Sequence, residues 1–329
     1  MTLRSRGAPA RGGGHRKLTK KNQGHPGVTT FAAVVAVAAI ALVAFKLTRD
    51  PASPAPVHHQ ASLRYLGVYE RDAPQSYAGI TQFARTVGRE PNLVSYYSGW
   101  FEPFHTAFAE MAARNGATTI VQIDPTNISL ARIAASGYDR YLIRYAKEVA
   151  AFGRPVVISF GHEMNGFWDS WGYHQTPAAD FRAAWRHIVD VFRQNGATNV
   201  KWLWQVNSAS KKTGPVHDFW PGAKYVNWVG VSGYYYLPGE TFKYIFEPVV
   251  SQVRKFTNDP ILIAETGVSP GRKAAFDIND LFGGLRAHHY IGLVWFDLNK
   301  PGALYHGANW HLEGRPTAVQ AFREALNGT

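Results

Sequence analysis

Short apolar runs recur along residues 61–329, separated by stretches with helical spacing. Eight runs have strand length and composition: 64–69, 93–97, 118–123, 155–160, 200–206, 228–234, 261–264 and 292–296. Between them, apolar residues fall on stripes of period 3.6. Phe181, Ala184, Trp185, Ile188 and Phe192 form one, with Thr176 and Pro177 as a cap and first-turn pair. Tyr138, Tyr141, Leu142, Tyr145, Val149 and Phe152 form a second. Phe246, Val249, Val250, Val253 and Phe256 form a third, and residues 318–326 supply a closing helix. Eight β/α units in about 269 residues predict the α/β class and a (β/α)8 TIM barrel. A doubly wound open sheet is the alternative, but no Gly-rich phosphate loop follows the first run.

The pattern before residue 61 differs. Residues 1–27 are rich in Gly, Arg and Lys and contain no acid, a composition that builds no core and predicts a disordered cytoplasmic tail. Residues 31–45 are unbroken apolar sequence, and residues 28–47 approach the ~20 residues of a membrane-spanning helix if Lys46 snorkels. The segment fits a transmembrane signal anchor or a signal peptide with a long basic region. No A-x-A site closes it, which favours the anchor. In both cases the basic tail is expected inside the cell and the rest outside, as a single-pass cell-membrane protein or a secreted one. Residues 48–60 form a stiff Pro/Ala linker, and 61–329 form the barrel.

The net charge of +12 changes little in this picture. Residues 1–50 hold nine of the bases and one acid, which leaves 26 bases and 22 acids for the remainder. The folded part is only mildly basic, and nucleic acid is not an expected partner. With no cysteine, disulfides and thiolate metal sites are excluded. The 13 histidines form no HExxH or similar ligand spacing, so no metal is expected. Nothing in the sequence sets an oligomeric state, and a monomer is the default.

The chemistry concentrates after the fourth run. Residues 155–160 deliver Glu163 into Gly161-His162-Glu163-Met164-Asn165-Gly166-Phe167-Trp168-Asp169-Ser170-Trp171. Carboxylates perform acid, base and nucleophilic chemistry at glycosidic bonds. Trp rings stack on the apolar faces of pyranoses, and Asn and His bond hydroxyls. A barrel places its active residues at the C-terminal strand ends. Asp124, Glu163, Glu265 and Asp297 meet that test, and Glu70 meets it less well. Glu265 stands out, because Ile-Leu-Ile-Ala precedes it and Thr-Gly follows.

Residues 161–171 together with 261–267 resemble glycoside hydrolase family 26, best known for β-mannanases. The resemblance covers roughly residues 61–329. It implies a (β/α)8 barrel that cleaves β-glycosidic bonds with retention, without metal or organic cofactor. By the motif match Glu163 is the acid/base and Glu265 the nucleophile. His162 and Trp168 match positions around the scissile sugar, Tyr234 a tyrosine that bonds near the nucleophile, and Trp295 a stacking tryptophan on strand eight. Trp100 and Asn207 are further expected cleft residues. The chain departs from the family pattern at Ser159, often Arg, at Asp169-Ser170 within the Trp168–Trp171 motif, and at Ser232, often Asp. The implied activity is an endo-β-glycanase on β-1,4-mannan or a related polysaccharide. The alternatives are a β-glucanase or xylanase, a hydrolase that trims a polymer during synthesis at the membrane, and a non-hydrolytic polysaccharide-binding barrel.

Overall fold

The structure, a computed structural model, describes residues 63–237, 239–299 and 309–328. The expected tail, anchor and linker lie outside these residues. Among the described residues no helix is long and apolar enough to cross a membrane.

Eight parallel strands close into a barrel in sequence order: β1 (Tyr65–Tyr69), β2 (Leu93–Gly99), β3 (Thr118–Asp124), β4 (Val156–Phe160), β5 (Val200–Asn207), β6 (Trp228–Ser232), β7 (Ile261–Thr266) and β8 (Gly292–Phe296). The helices are α1 (Ala78–Val87), α2 (Thr106–Arg114), α3 (Leu130–Ala134), α4 (Asp139–Phe152), α5 (Ala178–Gln194), α6 (Phe242–Val253), α7 (Ala274–Ala287) and α8 (Pro316–Asn327). The eight-unit expectation changes in one connection. Between β5 and β6 the chain forms two short 3-10 turns, Val216–Phe219 and Ala223–Tyr225, in place of an α-helix. The start of α5 also differs from the expected cap. Pro177 occupies the N-cap position, and the Thr176 hydroxyl donates to the Ser170 carbonyl (2.9 Å) instead.

Successive strand residues face opposite ways. Leu93, Ile120, Val157, Leu203, Leu262, Ala264 and Val294 fill the barrel interior. Two residues further along the same faces lie the buried polar side chains Gln122, Ser159 and Gln205, joined by Ser232 of β6. The opposite faces pack under the helices. On α5, Phe181, Trp185, Ile188 and Phe192 are buried, and Trp185 and Phe192 meet Trp202 of β5 edge-on. A barrel whose floor is packed shut leaves only its C-terminal mouth open to side chains that do chemistry.

Candidate active site

Strand β4 ends at Phe160, and the backbone then turns sharply. Gly161 has φ +55° and Glu163 has φ +54°, both in the left-handed region. Glycine suits the first position for a second reason: a Cβ there would lie 3.0 Å from Phe181 and 3.1 Å from Trp171. At Glu163 the conformation costs about 1–3 kcal/mol and persists because its surroundings over-determine it. Its N–H donates to the Gln205 carbonyl (2.8 Å), and its carbonyl accepts from the Gly166 N–H (2.8 Å). The Trp171 indole N–H donates to the neighbouring His162 carbonyl (2.8 Å). The turn swings the Glu163 carboxyl over the barrel mouth.

The Glu163 side chain is buried, at 8% exposure. Its Oε2 accepts from the Trp168 indole N–H (3.0 Å). Burial raises its pKa from 4.5 to about 7, aided by the charge of Glu265 and opposed by His162, Asn207 and Ser232. Asn207 is itself clamped. The Asn165 Oδ1 accepts from its backbone N–H (2.7 Å), and the Asn165 amide donates to its carbonyl (2.9 Å).

Glu265 reaches the mouth by a break in alternation. On β7, Leu262 and Ala264 face the interior, so strict alternation would turn Glu265 outward. The β7–β8 register shifts between Ile263 and Thr266, and Ser232 of β6 aligns with Glu265. Irregularities of this kind re-aim a side chain. One Glu265 oxygen accepts from the Tyr97 hydroxyl and the other from the Tyr234 hydroxyl. Burial, and then the Glu265 charge, push both phenols well above their usual pKa, so they remain donors. Beside them the His162 Nδ1 lies 2.8 Å from Asp124 Oδ1. Burial alone would lower the His162 pKa, but the charge and hydrogen bond of Asp124, with Glu163 and Glu265, push it up to about 10. The ring is therefore an imidazolium at neutral pH.

Glu163, Glu265, His162, Trp168, Tyr234 and Asn207 line one cavity of about 820 Å³. Six of the eight residues expected in the cleft thus come together. Two do not. Trp295 is fully buried on the outer face of β8, edge-on to Phe322 of α8 (5.2 Å), with its indole N–H on the Trp310 carbonyl (2.9 Å). Trp100 packs in the outer core against Phe160, Tyr138 and Tyr141. Their places in the cavity are taken by Tyr97, Phe296 and Trp310, with Tyr69. Trp310 stacks on Tyr234 at 4.3 Å and 30°. Tyr97 and Phe296 sit at the right strand ends to be found from sequence by counting in twos from Leu93 and Val294. Trp310 lies beyond the last strand of the barrel and carries no such signal.

The remaining strand-end carboxyls have other work. Asp124 holds His162. Glu70 and Asp297 do not line the cavity; they bond each other, and burial followed by the Asp297 charge raises the Glu70 pKa to about 9. Asp297 Oδ1 accepts from the Leu312 N–H (2.9 Å) and lies 3.5 Å from His311 Nδ1. It thereby anchors the segment that carries Trp310. Among the described residues no His, Asp and Glu side chains group as a metal site.

Residues 105–279, more than half of the chain, match the family model described as Glycosyl hydrolase family 26. Endoglucanase H of Acetivibrio thermocellus is 29% identical over 269 residues, which cover 76% of this chain and 29% of that protein. Beta-1,3-xylanase TXYA of a Vibrio species is 25% identical over 218 residues, 62% of this chain and 45% of that protein. The chain spans less than half the length of either relative. Among solved structures, a GH26 β-mannanase from Bacteroides ovatus superposes with TM-score 0.59 at 16% identity, covering 81% of this chain and 89% of that one. The GH26 domain of an endo-β-mannanase/endo-β-glucanase from Prevotella bryantii gives 0.60 at 14% identity, with 82% and 90% covered. At these identities the superpositions show the fold alone.

Proposed function

The chain belongs to glycosyl hydrolase family 26, and from that premise we propose that it is a retaining endo-β-glycanase acting on β-1,4-mannan or a related mannose-containing polysaccharide. The observation that carries the proposal is the unequal carboxyl pair in one cavity. Glu163 holds its proton to about pH 7, and Glu265 lies between two phenol donors that stabilise its negative charge. A retaining enzyme needs this division of roles.

In the first step Glu265 attacks the anomeric carbon and forms a glycosyl ester. Glu163 gives its proton to the glycosidic oxygen as that bond breaks, and the leaving chain departs as an alcohol. Esterification removes the Glu265 charge, which was raising the Glu163 pKa. Glu163 is then the stronger acid and the better-populated carboxylate, as its second role requires. In the second step Glu163 takes a proton from water, the oxygen attacks the anomeric carbon, and the ester bond breaks. Glu265 leaves as a carboxylate, and both groups return to their starting states. Trp168 and Phe167, both partly exposed, offer faces to sugar rings.

The likeness to Endoglucanase H and to a β-1,3-xylanase favours a second reading, a β-glucanase or xylanase on the same scaffold. Ser159 and Ser232, in the polar layer beneath the carboxyls, and Asp169, on the cavity wall, are departures that bear on sugar choice. A non-hydrolytic binding barrel has no use for an acid tuned to neutrality beside a second carboxyl. Reducing-sugar release from mannan, glucomannan, mixed-linkage glucan, cellulose and xylan separates these readings. Hydrolysis of one polymer, lost in Glu163→Ala and Glu265→Ala, is expected; no release from any polymer would overturn the enzyme assignment. The basic residues 1–27 and the apolar residues 28–47 support membrane anchoring with the barrel outside. Full-length protein retained with the membrane fraction is the expected result, and a shortened product in the medium would contradict it.

A further inference from the structure

All eight strands run parallel, so the loops that lead into them lie together at one end of the barrel, opposite the mouth. These loops carry an excess of positive charge. Arg64, Arg89, Arg154, Arg254 and Lys255 lie in them, against two acids, Glu90 and Asp259. The last turns of α1, α2, α5 and α7 each add an arginine to the same end, and that of α8 adds Glu324. Cations in a last turn complement the negative end of the helix dipole. That account does not reach Arg64, Arg154 and Lys255, which lie outside the helices. All three are exposed, and among the described residues none of them forms an ion pair. Arg254 is held in place by the Thr257 and Asp259 carbonyls (3.2 and 2.8 Å), and the Asp259 Oδ2 is taken by the Thr257 hydroxyl (2.7 Å). At the opposite end the strands deliver the carboxyls Asp124, Glu163, Glu265 and Asp297. The chain enters the barrel at the cationic end, since Arg64 directly precedes β1.

We propose that this end of the barrel docks on an anionic lipid membrane, with lipid phosphates against Arg64, Arg154, Arg254 and Lys255, and that the mouth is thereby turned away from the membrane. The proposal rests on the membrane-anchored reading given above. Residues 48–60 join the apolar run to the barrel, and a chain of 13 residues spans at most about 45 Å. A tether that short keeps the cationic end at high effective concentration over the lipid, so contacts that are weak one by one suffice. The attraction of Lys and Arg to an anionic leaflet falls off within a Debye length, about 8 Å at physiological salt. A docked barrel feels it through the loops at this end, while the mouth, at the far ends of the strands, stays beyond its range. The carboxyl-lined mouth then faces outward, where polymer arrives.

The test asks which end of the barrel lies near lipid. The chain has no cysteine, so a single introduced thiol takes a donor dye cleanly. Thr198→Cys places it in the exposed loop into β5, and Lys211→Cys places it at the other end, in the loop after β5. Full-length protein is reconstituted into vesicles of phosphatidylcholine, with or without phosphatidylglycerol, that carry an acceptor dye on the headgroups. Energy transfer from position 198 should be higher with phosphatidylglycerol, and transfer from position 211 should not rise. The gain at 198 should vanish at about 1 M salt, where charges are screened within about 3 Å. Arg154→Glu combined with Lys255→Glu should also abolish it, with circular dichroism as the check on folding. Arg154→Gln with Lys255→Gln, which adds no acid, should reduce it. Equal transfer from 198 on the two lipids, a gain that survives salt, or a larger gain at 211 overturns the proposal. Polyphosphate bound by the wild type and not by the charge-reversed variant, with no gain on lipid, would assign this end to a soluble polyanion and overturn it too. Protein that floats with both kinds of vesicle but shows no gain at 198 keeps the anchor and loses the docking. Protein that stays in solution with phosphatidylcholine and binds phosphatidylglycerol through Arg154 and Lys255 loses the anchor and keeps the docking.

Discussion

Glu163→Gln should make the protein more stable at pH 8 and leave its stability unchanged at pH 4. The Glu163 carboxyl is buried, and its pKa rises from 4.5 to about 7 on folding. At 1.36 kcal/mol per pKa unit, the ionised form costs about 3 kcal/mol more in the folded protein than in the unfolded chain. The sign follows from proton counts. Between pH 4.5 and about 7 the folded state keeps a proton that the unfolded state has lost, so stability falls as pH rises through that window. Above it the full penalty applies, and below it both states are protonated and there is none. Glutamine keeps the size of the side chain and an oxygen for the Trp168 indole, but it cannot ionise. The expected gain is therefore about 2–3 kcal/mol at pH 8 and close to nothing at pH 4. Urea denaturation of wild type and variant at pH 4, 6 and 8 measures the difference. A difference equal at the three pH values, or a loss at pH 8, would refute an acid held protonated by burial. Glu265→Gln provides an internal check. It should lower the Glu163 pKa without restoring 4.5, because burial is the larger cause.

Three further outcomes are expected. In the wild type, kcat/KM should fall as pH rises through about 7, where Glu163 loses the proton that the proposed mechanism has it donate; an alkaline limb beyond pH 9 contradicts the proposed acid role. Trp295→Ala should cost about 3–5 kcal/mol in urea denaturation, as for other buried aromatics, whereas Trp168→Ala should cost little stability and much turnover. Tyr97→Phe removes one of two donors to Glu265, and at about 1.5–3 kcal/mol for a hydrogen bond to a charged group it should slow turnover roughly tenfold to a hundredfold. An unaltered circular dichroism spectrum would assign that loss to the site, and a normal rate would remove Tyr97 from it.

The eight strands were legible because each is a short apolar run between polar turns, and their order around the barrel follows from their order along the chain. Glu163 was legible for a related reason. Its surroundings, from the tight Gly161 turn to the Trp168 indole, are contiguous in sequence. The two misplaced tryptophans share one cause. Trp295 lies one residue from Phe296 on β8, and Trp100, just past the end of β2, lies three from Tyr97, so each assigned residue falls on the side opposite the one that lines the cavity. A parallel strand covered on both sides is apolar on both faces. Alternation is then visible in the sequence, but which set is interior is not, and a shift of one residue exchanges cavity for core. Closure of the barrel makes that choice, since Leu93 and Val294 must pack against Ile120, Val157, Leu203 and Leu262.

The sequence by itself determined the fold class, the count of strands and the two carboxyls delivered to strand ends, because local periodicity and neighbouring residues carry that information. Only the tertiary structure decided how those carboxyls are aimed and surrounded. The register shift that turns Glu265 inward depends on pairing with β6 and β8, and no single strand records it. The proton on Glu163 depends on burial and on a charge 102 positions away in the chain. The aromatic wall of Tyr97, Phe296 and Trp310 exists only where three distant segments meet at the barrel mouth. A side chain's identity is local, but its direction, its dielectric surroundings and its charged neighbours belong to the closed barrel.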